Sequence, residues 1–200
     1  MENVFERKTV RKAVFLDRDG TLNVEKDYLH RIEDFEFIPG APEAIKKLKD
    51  AGFLVIVITN QSGVGRGYYT LQDVDRLHEH IQKKLSEAGT AIDAFYVCPH
   101  HPTEGVSEYK KDCDCRKGKP GMLLQAAQDF NIDLSRSYMV GDKEADIEAG
   151  EKAGCRSIMV LTGYGEEAAK HMTTNSVLLY EDIRQAAEYI LQTPRNNCRD

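Results

Sequence analysis

Val14-Phe15-Leu16-Asp17-Arg18-Asp19-Gly20-Thr21 is the stretch on which the fold turns. Three apolar residues run straight into two carboxylates and a Gly-Thr turn. A short apolar run stopped by turn residues predicts a buried strand of a parallel sheet. Ligands of open α/β sheets collect at the carboxyl ends of the strands. Asp17 and Asp19 then stand at a crevice mouth. Carboxylates that close repel unless a cation holds them together, so the pair points to a hard divalent metal such as Mg²⁺. The same four residues, Asp-Arg-Asp-Gly, would also make an ordinary polar turn, and the rest of the chain has to decide.

Downstream the pattern repeats. Pro42 to Ala51 predicts a helix, with Ala44, Ile45 and Leu48 on one face and Gly52 as the stop. Phe53 to Ile58 is a second buried strand, and it closes in Thr59-Asn60-Gln61-Ser62-Gly63, a set of donors suited to phosphate oxygens. Gly63, Gly65 and Gly67 read as a loop that lets backbone approach a ligand. Leu71 to Ala88 carries apolar residues at helical spacing, capped by Thr70 with Asp73 in the first turn, and His78 and His80 are expected on its solvent side. Ala94 to Val97, Tyr138 to Val140 and Ser157 to Leu161 read as further strands, with Val177 to Tyr180 at an edge. The strand at 138–140 ends in Gly141-Asp142-Lys143, a further strand-end carboxylate. Gly121 to Phe130, Ile147 to Ala153 and Asp182 to Leu191 read as helices. Strands alternating with helices predict a doubly wound parallel α/β sheet. Residues 1–12 are expected to be a loose lead-in, residues 20–40 a polar loop over the crevice, and residues 193–200 a frayed tail.

Between the third and fourth strands lie Cys98-Pro99-His100-His101 and Cys113-Asp114-Cys115. Three thiolates and one imidazole make the closed tetrahedral shell of a structural zinc. The donors bracket a loop with little apolar residue of its own, which could hardly order itself without such a clip. His101 can replace His100 at this level of reading. Arg116-Lys117-Gly118-Lys119 follows at once, and cations beside a metal-fixed turn suit phosphate clamping. Cys155 and Cys198 have no ligand neighbours in the sequence.

Bulk properties exclude several classes. The chain of 200 residues is long enough for one domain with a proper core. Its formal charge of −6 argues against a general nucleic-acid or membrane-surface binder. No apolar run approaches the length of a membrane span. The first twelve residues lack an apolar signal core, and clustered cysteines suit metal in a reducing compartment, so a cytoplasmic protein is expected, and a monomer because no long unpaired apolar stripe is left over.

These motifs together resemble the haloacid dehalogenase (HAD) superfamily of phosphotransferases, from about Ala13 to Gly163. Asp17-Arg18-Asp19-Gly20-Thr21 matches its first motif, Thr59 the second, Lys117 the third, and Gly141-Asp142 with Asp146 the fourth. The finer resemblance, carried also by Thr59-Asn60-Gln61-Ser62-Gly63 and the Cys98–Lys117 segment, is to the heptose bisphosphate phosphatases. The resemblance implies a Rossmann-like fold without a cap and a small phosphorylated sugar as substrate. It implies Asp17 as nucleophile, Asp19 as acid and base, and Thr59 and Lys117 as charge stabilisers. Mg²⁺ would be held by Asp17, Asp142 and the Asp19 carbonyl, and Zn²⁺ by Cys98, His100, Cys113 and Cys115. Substrate contacts would come from Arg18, Glu25, Lys26, Asp27, Tyr28, Asn60, Gln61, Ser62, Arg116 and Lys143, while Asp146 would orient Lys117. The short intervals between motifs leave no room for a cap domain, which disfavours a mutase. A histidinol-phosphate phosphatase and a catalytically silent zinc-stabilised binding module are the competing readings.

Overall fold

The computed structural model describes residues 9–172 and 177–193. Parts of the lead-in and tail, and Cys198, lie outside the described residues. Six strands form one parallel sheet: β1 (Ala13–Leu16), β2 (Leu54–Asn60), β3 (Ala94–Cys98), β4 (Tyr138–Gly141), β5 (Arg156–Val160) and β6 (Leu178–Tyr180). Their order across the sheet is β3-β2-β1-β4-β5-β6, and each neighbouring pair is parallel. The order reverses between β1 and β4, which creates the topological switch point where such sheets bind ligands.

Side-chain alternation along the central strands builds two cores. Val14 and Leu16 face one side with Val55, Val57, Val140 and Ile158. Helices α1 (Ala41–Asp50), α3 (Leu71–Glu87) and α7 (Ile183–Gln192) cover that side with Ile45, Leu77 and Ile190. Ala13 and Phe15 face the other side with Ile56, Ile58 and Met139, under Leu123 of α4 (Gly121–Phe130) and Ala149 of α5 (Glu144–Ala153). Both faces of β1 are dry, which is why the strand reads as an unbroken apolar run.

The departures from the sequence reading are local. The glycine-rich stretch after β2 contains a helical turn, α2 (Ser62–Gly65), and a further short helix, α6 (Gly165–His171), follows β5. The segment over residues 20–40 is not simply polar. Leu22, Leu29 and Ile38 are buried in the core, and Asn23 forms bridges with Asp19 and with Phe37. His78 is also buried, against expectation. It stacks on Phe95 at 4.1 Å between ring centroids, and its Nε2 faces the Arg18 guanidinium at 3.4 Å. Thr70 caps α3 reciprocally with Asp73 as read.

Candidate active site

The strand ends of β1, β2 and β4 converge on a cavity of about 490 Å³. Asp17, Asp19, Asn60, Gln61, Arg116, Lys117 and Lys143 line it, with Glu25, Asp27 and Tyr28 from the loop after β1. Asp17 leaves β1 directly, its amide donating to the Val140 carbonyl of β4 at 2.9 Å. That bond sets the first carboxylate beside the strand that delivers Asp142. Asp17, Asp142 and Asp146 offer carboxylate oxygens that all lie within 4.8 Å of one another.

Lys117 anchors this acidic centre. Its ammonium lies 2.5 Å from Asp17 Oδ1 and 2.7 Å from Asp146 Oδ1. Burial works against its charge, but Asp146 and Asp17 overcome that, so it holds its proton more tightly than a free lysine. The Arg18 amide also donates to Asp17 Oδ1, at 2.7 Å, which fixes the rotation of that carboxylate. Asn60 Oδ1 accepts from the Lys117 amide at 3.0 Å and so ties the basic loop to β2.

Asp142 is wholly buried, and its Oδ1 has no hydrogen-bond partner. Its other oxygen accepts from the Tyr164 amide at 2.9 Å. Burial, then the neighbouring Asp17 charge, pushes its carboxyl well above the ordinary carboxylate range. A side chain on Gly20 or Gly163 would run into Asp142 Oδ2 at 2.2 or 2.3 Å, so two glycines form its cradle. An orphaned, buried carboxylate oxygen beside two more carboxylates is the donor chemistry of a hard dication.

Asp19 lies apart from that centre. Arg18 grips both of its oxygens, Asn23 donates to Oδ1 at 3.0 Å, and Gln61 donates to Oδ2 at 2.9 Å. Burial alone would raise its pKa, but the guanidinium and these hydrogen bonds outweigh it and hold the carboxyl below the usual range. Arg18 itself is fully buried and absent from the cavity wall, spent on Asp19, the Leu29 carbonyl and His78. Among the residues expected to contact substrate, Arg18 is thus the one held inside the protein, behind the cavity wall. Lys26 lies off the wall in this structure, 3.4 Å from Glu36, and lines a neighbouring pocket that shares Glu25, Asp27 and Tyr164 with the cavity. Lys143 stays at the cavity, 3.0 Å from Glu25 and with its ammonium 4.7 Å from the Tyr164 ring centroid. Thr59 is buried just behind the wall, where its Oγ1 accepts from Gln61 at 2.8 Å.

The thiol cluster forms as the spacing required. Sγ atoms of Cys98, Cys113 and Cys115 lie 3.2 to 3.6 Å apart, and His100 Nδ1 is 3.3 Å from Cys115 Sγ. A tetrahedral zinc with bonds of about 2.3 Å sets its thiolates roughly 3.7 Å apart, so the four donors fit one ion. His101 points elsewhere, its Nδ1 accepting from the Glu104 amide at 3.0 Å, which decides between the two histidines. The clip passes into the site through Arg116, whose guanidinium donates to the His100 carbonyl at 2.9 Å.

Two aromatic residues of the cavity wall, Tyr69 and Tyr164, are not among the expected site residues, nor is Ala145. Tyr164 follows a strand in Thr162-Gly163-Tyr164-Gly165, the same strand-end signal that marked the other loops. Tyr69 carried no such signal.

The HAD-hydrolase-like family matches residues 114–186. A D-glycero-beta-D-manno-heptose-1,7-bisphosphate 7-phosphatase of Pasteurella multocida is 45% identical over 185 residues, covering 92% of this chain and 93% of its own. A D-glycero-D-manno-heptose-1,7-bisphosphate 7-phosphatase of Thermosynechococcus vestitus is 44% identical, covering 90% and 95%. Among solved structures, a D,D-heptose 1,7-bisphosphate phosphatase from B. bronchiseptica, complexed with magnesium and phosphate, superposes with a TM-score of 0.82. It is 33% identical and covers 90% of this chain and 98% of its own.

Proposed function

The chain belongs to the heptose 1,7-bisphosphate phosphatase family of HAD-type hydrolases, and from this we propose that it hydrolyses the 7-phosphate of D-glycero-D-manno-heptose 1,7-bisphosphate. The observation that carries the reading is the meeting of Asp17 and Asp142 from adjacent strand ends, with Lys117 between Asp17 and Asp146. The reaction is proposed to serve nucleotide-heptose synthesis for lipopolysaccharide or surface-layer sugars.

The proposed residue roles are those that the family resemblance implies, and the geometry supports them. An Asp17 carboxylate oxygen attacks phosphorus, the bond from phosphorus to the sugar oxygen breaks, and an aspartyl-phosphate forms. Asp19 gives the leaving alkoxide its proton, then takes one from the water that hydrolyses the acyl phosphate and frees Asp17. Asp19 rests ionised against Arg18, and an arriving phosphate dianion raises its proton affinity, which favours its loading as an acid. Lys117, on the cavity wall, is proposed to face the charge that spreads over the transferring oxygens, with Thr59 just behind it in support. Asn60, Gln61, Ser62, Arg116, Lys143 and the loop residues Glu25, Asp27 and Tyr28 line the cavity and are the proposed sugar contacts, while Arg18 and Lys26 lie off its wall.

Asp17, Asp142 and the Asp19 backbone carbonyl are the proposed Mg²⁺ ligands. Bound there, Mg²⁺ supplies positive charge that offsets repulsion between the Asp17 carboxylate and the incoming phosphate. Zn²⁺ in Cys98, His100, Cys113 and Cys115 is structural. The protein is proposed to act as a single domain and a monomer in the cytoplasm. Its thiol cluster suits a reducing compartment, and no helix among the described residues is long and apolar enough to cross a membrane.

Phosphate release with Mg²⁺ should favour the heptose bisphosphate over histidinol phosphate and simple hexose phosphates. Preference for histidinol phosphate would overturn the substrate assignment. Asp17→Asn should lower turnover by roughly a thousandfold or more with the fold intact. A variant that kept full turnover would end the covalent mechanism.

A further inference from the structure

Tyr69 sits in the cavity wall without belonging to any strand-end motif. Its ring stacks on His30 at 4.8 Å and presses so close to Gly63 that an added methyl there would lie 2.2 Å from Cε1. The phenol is therefore held from both sides. Its Oη donates to Gln61 Oε1 at 2.7 Å. Burial raises its pKa to about 12, so it stays a donor. Gln61 is itself buried, and its amide nitrogen donates to Asp19 Oδ2 at 2.9 Å and to Thr59 Oγ1 at 2.8 Å. An ionised carboxylate only accepts, so the amide nitrogen must face Asp19 and the amide oxygen must face a donor. Tyr69 is that donor. Without it, the buried amide oxygen loses its donor and the amide is no longer held in place against Asp19.

We infer that Tyr69 is a positioning residue for phosphoryl transfer, acting through Gln61 to aim the Asp19 carboxyl at the leaving oxygen. Both protons of the Gln61 amide are committed within the protein, so its main work is on Asp19 and Thr59 and not on the sugar. The inference rests on the proposed role of Asp19 as proton donor. It gives Asp19 two supports of different kinds: Arg18 sets its charge, and the Tyr69–Gln61 pair ties its Oδ2 to Thr59 of β2.

Leaving-group chemistry provides the test. A sugar alkoxide needs a proton to depart, whereas 4-nitrophenolate leaves without one. First-turnover release of alcohol or phenol should be measured for the heptose bisphosphate and for 4-nitrophenyl phosphate. Tyr69→Phe keeps the ring on Gly63 and His30 and removes only the hydroxyl. It should slow the sugar ester about tenfold with KM little changed, and the nitrophenyl ester less than about twofold. Gln61→Met should show the same selectivity, and Asp19→Asn a larger one, roughly a hundredfold on the sugar ester. Equal losses on both esters in Tyr69→Phe, or none, with Asp19→Asn still selective, would overturn the positioning role alone. An unselective Asp19→Asn would remove the acid role of Asp19 and the inference with it.

Discussion

His78 is a buried imidazole that cannot easily accept a proton. Burial, then the Arg18 charge, lowers its pKa to about 3. The folded pKa lies below the unfolded value near 6.5, so the stability it contributes is full above about pH 6.5 and is lost as pH falls towards 3. Within that window each pH unit costs about 1.4 kcal/mol for this one group. Urea unfolding at pH 7 and pH 4.5 should therefore show a steeper loss for the wild type than for His78→Gln, which keeps an acceptor for Arg18. Equal slopes would show that the imidazole titrates normally in the fold. The burial was legible in spacing and hidden by residue type. Position 78 lies four after Val74 and three before Ile81, squarely on the apolar stripe of α3. Arg18 shows the complementary case: a cation beside the nucleophile suggests a phosphate ligand, and only the structure shows that its guanidinium is buried against the Asp19 carboxylate.

At the scale of elements, the zinc loop and the cap of α3 carry separate consequences. The segment between Cys98 and Cys115 has one short 3₁₀ turn and few buried apolar groups of its own. Metal binding is then folding energy for this segment. Purified protein should contain one zinc per chain, and Cys115→Ser should lose it and open residues 99–112 to limited proteolysis. Elemental analysis finding no zinc in the wild type would remove the assignment. Arg116 and Lys117 hang from the same clip, so the variant should lose phosphatase turnover as well. Thr70→Ala breaks a reciprocal cap with Asp73 and should cost about 1 kcal/mol, read as a lower urea midpoint with the slope unchanged. The cap was visible in Thr70-Leu71-Gln72-Asp73 because capping is a local interaction. The α6 helix was not, since a seven-residue helix is too short to show a period.

Across the whole molecule, β1 is shared by both cores, so neither can come apart alone. Val14 and Leu16 pack on one side and Phe15 on the other, all fully buried. Circular dichroism and tyrosine fluorescence should therefore report coincident unfolding, and Phe15→Ala should destabilise by roughly 3–5 kcal/mol in one transition. Two separated transitions would show that the chain is not one cooperative unit. The amino-acid sequence by itself determined the alternation of strands and helices, the strand-end carboxylates and the thiol spacing, because each depends on neighbours a few residues away or on a donor count. Tertiary structure alone decided that Asp142 lies beside Asp17, that His100 and not His101 faces the thiols, and that Tyr69 governs the amide against Asp19. Those contacts join segments far apart in the chain, and their geometry is set by the order of strands in the sheet and by which side chains the packed core leaves room for.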